Sequence, residues 1–312
     1  MQLIRGLGNI RARHKHCIAT IGNFDGVHRG HRAIIKKLKD KAKGTGAPVC
    51  VVTFEPQPRE FFRQQQPSRL SSLREKLILL SALDVDQVLC MPFGDALRAI
   101  SADDFVRNIL VNGLAVRSVI VGDDFHYGYG REGNFHHLQI MGRQFCFDVS
   151  DTQTITRNES GRISSTAIRQ ALVSGDLNGA CYMLGHHFIM AGRAVRGKQL
   201  GSKLGFPTAN LCWPGRLLPL QGVFAVRVTW QGQVYNGVAN IGVRPTVNTR
   251  LPLLEVHLLD FSPKPLYGEQ LKVSFIERIR KEQRFSSLDE LTCAIKQDII
   301  VARRILRHKA SF

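Results

Sequence analysis

Apolar strand-like runs alternate with helical segments through the first 185 residues of the chain. Near-continuous runs of Val, Ile and other apolar residues occupy 17–24, 47–54 and 117–125, and the intervening segment 31–43 carries apolar residues along one helical face. Strands that are apolar on both faces are typical of parallel sheets with helices on each side. This half of the chain is therefore predicted to be a Rossmann-like α/β domain.

The pattern changes after about Gly185. Short strand-like runs such as 188–195 and 222–230 follow one another between Gly, Pro and Asn turns, which indicates an antiparallel barrel or sandwich. The chain then ends in a helical pattern, whose start we predict as a capping box of Ser287 and Glu290.

A turn-rich segment, 174–187, separates the two patterns. The length of 312 residues fits two domains at roughly 100–200 residues each. We predict domains 1–185 and 186–312.

Charge and cysteine content narrow the classes of function. The formal net charge is +18 at pH 7, and a basic surface attracts polyanions, so nucleic acid and nucleotide phosphates are both candidate ligands. The seven cysteines occur singly, which fits free thiols better than disulfides or a zinc site. Residues 1–16 contain no signal-peptide core, and no apolar stretch approaches the ~20 residues that span a bilayer. We expect a cytoplasmic protein.

The segment 22–31, GNFDGVHRGH, links the first predicted strand to the first helix. Backbone N–H groups and the helix dipole favour anions at such a helix start. His28 and His31 would present donors to one phosphate, which is what transfer of a nucleotidyl group requires. A zinc protease site is disfavoured because the H-E-x-x-H motif is missing. The alternative is a pair of surface histidines near a helix cap.

A second segment, 163–172, places Ser164, Ser165 and Thr166 at the start of another helical pattern, with Arg169 one turn later. Hydroxyls and an arginine at a helix start form a second candidate anion site. Ordinary N-capping by Ser164 or Ser165 is the alternative.

The segment 192–199, GRAVRGKQ, nearly matches a Walker A motif. Gln199 stands where that motif has the Ser or Thr that holds magnesium, and the flanks are strand-like rather than a strand entering a helix. We reject the P-loop interpretation.

Taken together, these motifs resemble those of the bacterial bifunctional riboflavin kinase/FAD synthetases. The resemblance rests on 22–31, 163–172, FEPQPREFF at 54–62, GDDFHYGYGREG at 122–133 and PTAN at 207–210, and it extends over nearly the whole chain. It implies an N-terminal nucleotidylyltransferase domain that adenylylates FMN to FAD, and a C-terminal β-barrel riboflavin kinase domain with a C-terminal helix. The implied substrates are riboflavin, FMN and ATP, with Mg²⁺ as cofactor.

For the adenylyltransferase, the resemblance implies an ATP site and a flavin site. His126 stands where the family commonly has arginine, which makes any charge there weaker and dependent on pH. The implied ATP-binding residues are Gly22, Asn23, Phe24, Asp25, Gly26, His28, His31, Ser164, Ser165, Thr166 and Arg169, with His28 and His31 as catalytic residues. The implied flavin-binding residues are Pro56, Pro58, Phe61, Asp124 and Phe125.

For the kinase, the resemblance implies that Thr208 and Asn210 hold Mg²⁺ and that Glu255 is the catalytic base. A hydroxyl and an amide completed by phosphates and water suit Mg²⁺, and a carboxylate can accept the proton of a riboflavin hydroxyl. Ser202 stands where the family usually has arginine, and Lys203 is its charged neighbour. The implied ATP-binding residues are Gly197, Gly201, Gly205, Pro207, Thr208 and Asn210.

Two other functions stay open from the residues alone. One is a nucleotidylyltransferase for another phosphate acceptor, which would leave the PTAN segment and Glu255 without a role. The other is an RNA-binding protein, suggested by the net charge of +18. Few aromatic residues lie among the basic clusters, which argues against nucleic acid as a partner.

Overall fold

The computed structural model divides the chain into two compact units. One contains Met1–Pro67 and Lys76–Ile163, and the other contains Ser68–Glu75 and Ser164–Phe312. The structure describes residues 1–62, 68–122, 124–152, 157–158, 161–196, 201, 204–212, 218–245, 250–261 and 266–309.

The first unit contains a six-stranded parallel sheet in the order β1-β4-β3-β2-β5-β6. This confirms the predicted Rossmann-like α/β fold. Its strands are β1 (Gln2–Arg5), β2 (Ile18–Ile21), β3 (Val49–Glu55), β4 (Gln87–Pro92), β5 (Ser118–Val121) and β6 (Asp148–Asp151). The helices along this part of the chain are α1 (Arg29–Ala42), α2 (Pro58–Phe61), α3 (Leu73–Ser81), α4 (Asp95–Arg98), α5 (Ala102–Phe105), which continues as a π-helix over Val106–Gly113, and α6 (Phe135–Gln144).

Strand order creates a crevice at the carboxyl edge of this sheet. Strands β3 and β4 follow β2 along the chain and lie on one side of it, whereas β5 and β6 lie on the other. Pairing of β2 with β3 runs to Ile21 and Val52, but pairing of β2 with β5 ends at Ala19 and Val119. The two strands part before their carboxyl ends, and open α/β sheets bind ligands at such a switch point.

Helix α1 packs on the sheet through the face predicted from its spacing. Ile35 and Leu38 are buried, and Ile34 is partly buried beside Leu38. Leu38 contacts the apolar cluster around Ile18 and Val49 of the central strands. This packing fixes the start of α1 at the crevice.

The second unit is built on a closed six-stranded antiparallel barrel in the order β10-β13-β12-β11-β14-β9. The barrel alternative of the prediction is therefore confirmed. A short hairpin of β7 (Arg157–Asn158) and β8 (Gly161–Arg162) precedes it in the chain. The barrel strands are β9 (Phe188–Val195), β10 (Ala209–Cys212), β11 (Gly222–Trp230), β12 (Gln233–Pro245), β13 (Arg250–Leu258) and β14 (Gln270–Arg280). The helices are α7 (Ser165–Ser174), α8 (Leu177–Leu184) and α9 (Leu288–His308).

Helices α7 and α8 share the apolar core of the barrel. Leu172 and Leu184 are buried in the same cluster as Phe224 and Phe275 of β11 and β14. The second unit thus begins before the predicted boundary near residue 185. Whether residues 186–312 fold and act independently stays a prediction.

The C-terminal helix α9 begins at its predicted N-cap, Ser287. Ser287 Oγ accepts a hydrogen bond from the Glu290 N–H, and the Glu290 carboxylate accepts from the Ser286 N–H and hydroxyl. Ala302 and Leu306 are buried against the outside of the barrel.

Cys17, Cys50, Cys90, Cys146 and Cys293 carry free thiols. Among the helices of the described ranges, none has the length and apolar character needed to cross a membrane. The cytoplasmic location stays a prediction.

We expect a fragment of residues 164–312 to be several kcal/mol more stable than a fragment of residues 186–312. The longer fragment keeps Leu172 and Leu184 in the barrel core, and each buried side chain of this kind contributes about 1.5–3 kcal/mol. Denaturant unfolding followed by circular dichroism measures the difference. Equal denaturant midpoints and equal slopes for the two fragments would contradict the packing of α7 and α8 in the barrel core.

A matched pair of substitutions in the longer fragment isolates the contact. Leu172→Ala should cost about 2–5 kcal/mol because its side chain is buried. Its neighbour Val173 is 68% exposed, so Val173→Ala should change the free energy of unfolding by no more than about 0.5 kcal/mol.

Candidate functional site

The turn after β2 requires unusual backbone conformations. Phe24 and Gly26 both adopt the left-handed region, with φ of 48° and 77°. The Gly22 N–H donates to the Val52 carbonyl oxygen of β3, which holds the start of the turn on the sheet. Glycine at position 26 removes the steric cost of a left-handed residue at this point. The turn delivers His28 to the N-cap of α1.

The two predicted histidines are stacked. The ring centroids of His28 and His31 lie 3.7 Å apart with an interplanar angle of 19°, and the Phe24 ring lies 4.7 Å from that of His31. The His28 side chain at the N-cap makes no capping hydrogen bond. The N–H groups of a helix's first turn favour a bound anion. The structure brings the two imidazoles and the helix start together, as predicted.

Burial determines the charge state of His31. It lowers the pKa of His31 well below its usual value, and the neighbouring His28 and Lys76 lower it further. The His31 Nδ1 atom is buried and has no hydrogen-bond partner among the described residues. His31 is therefore neutral at neutral pH in the unliganded protein. A bound triphosphate would favour its protonation.

Lys76 is a functional candidate that the sequence analysis missed. Its side chain is fully buried in the first unit, and its ammonium donates to Thr53 Oγ1 at 3.1 Å. Thr53 Oγ1 in turn donates to the carbonyl oxygen of Asn23, at 3.3 Å, in the turn after β2. In the sequence, Lys76 is one polar residue of an amphipathic helix, where lysine normally faces water.

The carboxyl end of β5 leads to two of the predicted flavin residues, Asp124 and Phe125. Phe125 is partly buried in the core and stacks on Tyr127, with ring centroids 5.2 Å apart. His126 is exposed, and its Nδ1 lies 3.0 Å from the Asp124 carbonyl oxygen. Phe125 thus has a packing role in the first unit, and its flavin contact stays a prediction.

A chain of polar contacts fixes Tyr127. Its hydroxyl lies 2.8 Å from His137 Nδ1, and His137 Nε2 lies 2.9 Å from a carboxylate oxygen of Asp103. Burial, with a smaller contribution from Asp103, raises the pKa of Tyr127, so its hydroxyl keeps its proton. Tyr127 thereby gives Phe125 a rigid support.

Aromatic side chains cluster at the carboxyl ends of β3 and β4. Phe61 and Phe62 lie 5.6 Å and 6.1 Å from Phe93, measured between ring centroids, and Phe62 is 50% exposed. The predicted Pro58 begins α2, and Pro56 lies in the turn before it. Phe62 and Phe93 were missed as site residues, because a parallel sheet brings them together only once its strand order is known.

The second predicted anion site has an ordinary structural explanation. Ser164 Oγ accepts from the Ala167 N–H, as an N-cap does, and Arg169 Nε donates to the Ser68 carbonyl oxygen at 2.6 Å. These residues belong to the second unit. Ser164 is therefore an N-cap, as the alternative interpretation predicted. ATP binding by Ser164, Ser165, Thr166 and Arg169 stays a prediction.

The PTAN segment leads into β10, which pairs with β13. Asn210 lies opposite Glu255, and Asn240 of β12 lies opposite Glu255 on its other side. Asn210 is 5% exposed, and its Oδ1 is buried without a hydrogen-bond partner among the described residues. His257 Nδ1 lies 2.8 Å from the Pro207 carbonyl oxygen, which ties this segment to β13. The barrel brings the predicted magnesium ligand and the predicted base onto neighbouring strands.

The glycine-rich loop before PTAN contains a position that accepts only glycine. A Cβ atom at Gly201 would lie 2.4 Å from the Phe206 carbonyl oxygen, and the Gly201 carbonyl oxygen accepts from the Phe206 N–H. Gly205 has a φ of 85°, which also favours glycine. Gly197, Ser202 and Lys203 lie outside the described residues.

A further cavity lies where β14 leads into α9. Its volume is about 580 Å³. The sequence analysis gave it no role. Its lining residues are Gln283, Arg284, Phe285, Glu290 and Cys293.

Comparison with known proteins assigns each half of the chain. A family model described as FAD synthetase matches residues 10–167, and one described as riboflavin kinase matches residues 184–306. The bifunctional riboflavin kinase/FMN adenylyltransferase of Pseudomonas fluorescens is 48% identical over 307 residues, covering 98% of both chains. The enzyme of the same description from Escherichia coli K12 is 48% identical, with 97% of both chains covered. That of Haemophilus influenzae is 43% identical over 305 residues.

A solved structure supports the architecture. A crystal structure described as a macrolide-efflux protein from Streptococcus pneumoniae is 27% identical, with a TM-score of 0.83 over 97% of this chain and 99% of that one. The full-length match to curated enzymes favours the flavin family over both alternatives left open by the sequence. The chain belongs to the bifunctional riboflavin kinase/FMN adenylyltransferase family, whose activities convert riboflavin to FMN and FMN to FAD.

Proposed function

We propose that adenylylation of FMN takes place at the carboxyl edge of the parallel sheet and that riboflavin phosphorylation takes place on the barrel beside Asn210 and Glu255. The observation that carries the first assignment is the stacked pair of His28 and His31 at the start of α1. The second is supported by the register that sets Asn210 opposite Glu255. The matched family regions, 10–167 and 184–306, favour the same division.

In the adenylyltransferase reaction, a phosphate oxygen of FMN forms a bond to the α-phosphorus of ATP. The bond from that phosphorus to the pyrophosphate oxygen breaks. His28, His31 and the N–H groups at the start of α1 are arranged to donate hydrogen bonds to the phosphate oxygens as charge develops. The left-handed turn through Gly26 lets the nucleotide approach the backbone.

The aromatic cluster supports a flavin site at the same edge. Isoalloxazine is a flat aromatic ring system, and Phe61, Phe62 and Phe93 form a partly exposed aromatic surface after β3 and β4. Offset or edge-to-face contact with such rings is favourable. Pro56 and Pro58 would shape one side of this surface, with Asp124 and Phe125 after β5, which lies on the other side of β2.

In the kinase reaction, Glu255 would accept the proton of the riboflavin hydroxyl while that oxygen bonds to the γ-phosphorus of ATP. The bond from the γ-phosphorus to the bridging oxygen breaks, and ADP leaves. Asn210 would supply an amide oxygen and Thr208 a hydroxyl to Mg²⁺, and the buried Asn210 Oδ1 without a protein partner fits that role. When bound, Mg²⁺ neutralises charge on the phosphates. Gly201 and Gly205 keep the preceding loop close to the strand.

Replacing the histidine pair should separate the two activities. We expect His28→Ala with His31→Ala to slow FMN adenylylation by ~10²–10³, since preorganised donors to a developing phosphate charge are lost. Riboflavin phosphorylation should survive, and FMN should accumulate when riboflavin and ATP are supplied. Chromatographic separation of the flavins measures both products.

His136→Ala is the matched control for that experiment. His136 is exposed on α6 of the same unit, and its replacement should leave both rates within about twofold. FAD production at the wild-type rate by the double variant would overturn the adenylyltransferase assignment.

Glu255→Gln should produce the opposite separation. Glutamine keeps the size of the side chain but cannot accept the proton, and loss of a general base typically costs ~10²–10⁴ in rate. Supplied FMN should still become FAD, whereas supplied riboflavin should not become FMN at a measurable rate. Binding of riboflavin and ATP should change much less than the rate.

Asp289→Asn serves as the control, because Asp289 is an exposed carboxylate in the second unit. Retention of kinase activity by Glu255→Gln would rule out Glu255 as the base. Wild-type adenylylation in the same preparation separates a lost base from a misfolded protein.

A further inference from the structure

Lys76 has an environment that packing does not explain. Its side chain is fully buried, and its ammonium donates to Thr53 Oγ1 in the interior of the first unit. Burying a charge is costly, and an apolar residue of similar volume often serves stability as well or better. A retained buried cation beside a candidate site therefore points to a role in that site.

Its contacts lead to the turn that presents the histidines. The ammonium donates to Thr53 Oγ1, and Thr53 Oγ1 donates to the Asn23 carbonyl oxygen. Asn23 lies directly before the left-handed Phe24, whose ring packs against that of His31. Two hydrogen bonds thus connect Lys76 on α3 to the backbone of the turn.

Its charge acts on the stacked pair. Two imidazolium rings with centroids 3.7 Å apart would repel each other strongly, so the stack requires at least one neutral ring. The buried Nδ1 of His31 has no hydrogen-bond partner among the described residues, which disfavours a proton at that atom. A cation in the same interior disfavours a second positive charge.

We propose that Lys76 is a positioning residue of the adenylyltransferase site, which fixes the glycine-rich turn through Thr53 and so keeps the imidazole pair stacked before ATP binds. This inference rests on the proposed function of the histidine pair. The charged and titratable groups around it are His28 beside His31, and Glu55 on β3 and Arg5 on β1, which act together with Lys76 on Cys90 of β4.

Lys76→Met tests the role of the charge. Lys76 lowers the pKa of His31, so its removal should raise that pKa, and His31 should titrate at higher pH in an NMR titration of the ring C–H resonances. FMN adenylylation should fall by about tenfold or more, because the turn that presents the histidines loses its anchor. Lys36→Met, which removes an exposed lysine of α1, should change neither the titration nor the rate.

Thr53→Val tests the contact without removing the charge. It deletes the hydroxyl that links Lys76 to Asn23, so adenylylation should fall at all pH values while the His31 titration changes little. Thr53→Ser restores a hydroxyl and should restore the rate. Riboflavin kinase activity in each preparation reports whether the protein is folded.

The outcomes separate this inference from the proposed function. Wild-type adenylylation in Lys76→Met or in Thr53→Val would overturn it. If Lys76→Met fails to fold, comparing the adenylylation rates of Thr53→Val and Thr53→Ser tests whether the Thr53 hydroxyl positions the turn. Full activity of the double histidine variant would instead overturn the function on which the inference rests.

Discussion

The adenylyltransferase half depends on one constraint of parallel pairing, which brings the carboxyl ends of all its strands to the same edge. Strand β2 stays paired with β3 to its last residue but separates from β5 beyond Ala19 and Val119. The turn after β2, the aromatic cluster after β3 and β4, and the segment after β5 therefore converge around one crevice. The histidines and the flavin candidates are distant in sequence and share this edge because of the strand order.

In the barrel, antiparallel register brings candidate site residues that are distant in sequence next to one another. Cross-strand neighbours on one face lie about 5 Å apart, so the pairing of Asn210, Glu255 and Asn240 sets three polar side chains in a row across β10, β13 and β12. Leu254 and Val256, which flank Glu255 along β13, are buried in the core. Successive side chains of β13 thus alternate between the apolar core, which stabilises the barrel, and the face that carries the candidate site.

The sequence predicted what periodicity and local motifs encode, and it missed what depends on three-dimensional neighbours. The α/β and barrel folds follow from strand and helix patterns, and the convergence of His28 and His31 follows from a turn at a helix start. The role of α7 and α8 in the barrel core was not predicted, because an amphipathic helix does not specify which surface covers it. Lys76 was missed for a related reason, since a lysine in such a helix normally faces water.

The central claim is that ATP binds for adenylylation at the histidine pair in the first unit. The most direct measurement is a crystal structure with FMN and a non-hydrolysable ATP analogue. The account predicts phosphate oxygens within hydrogen-bond distance of His28, His31 and the first N–H groups of α1, with the flavin ring against the aromatic cluster. A triphosphate bound elsewhere in this unit, with the imidazole pair unliganded, would contradict it.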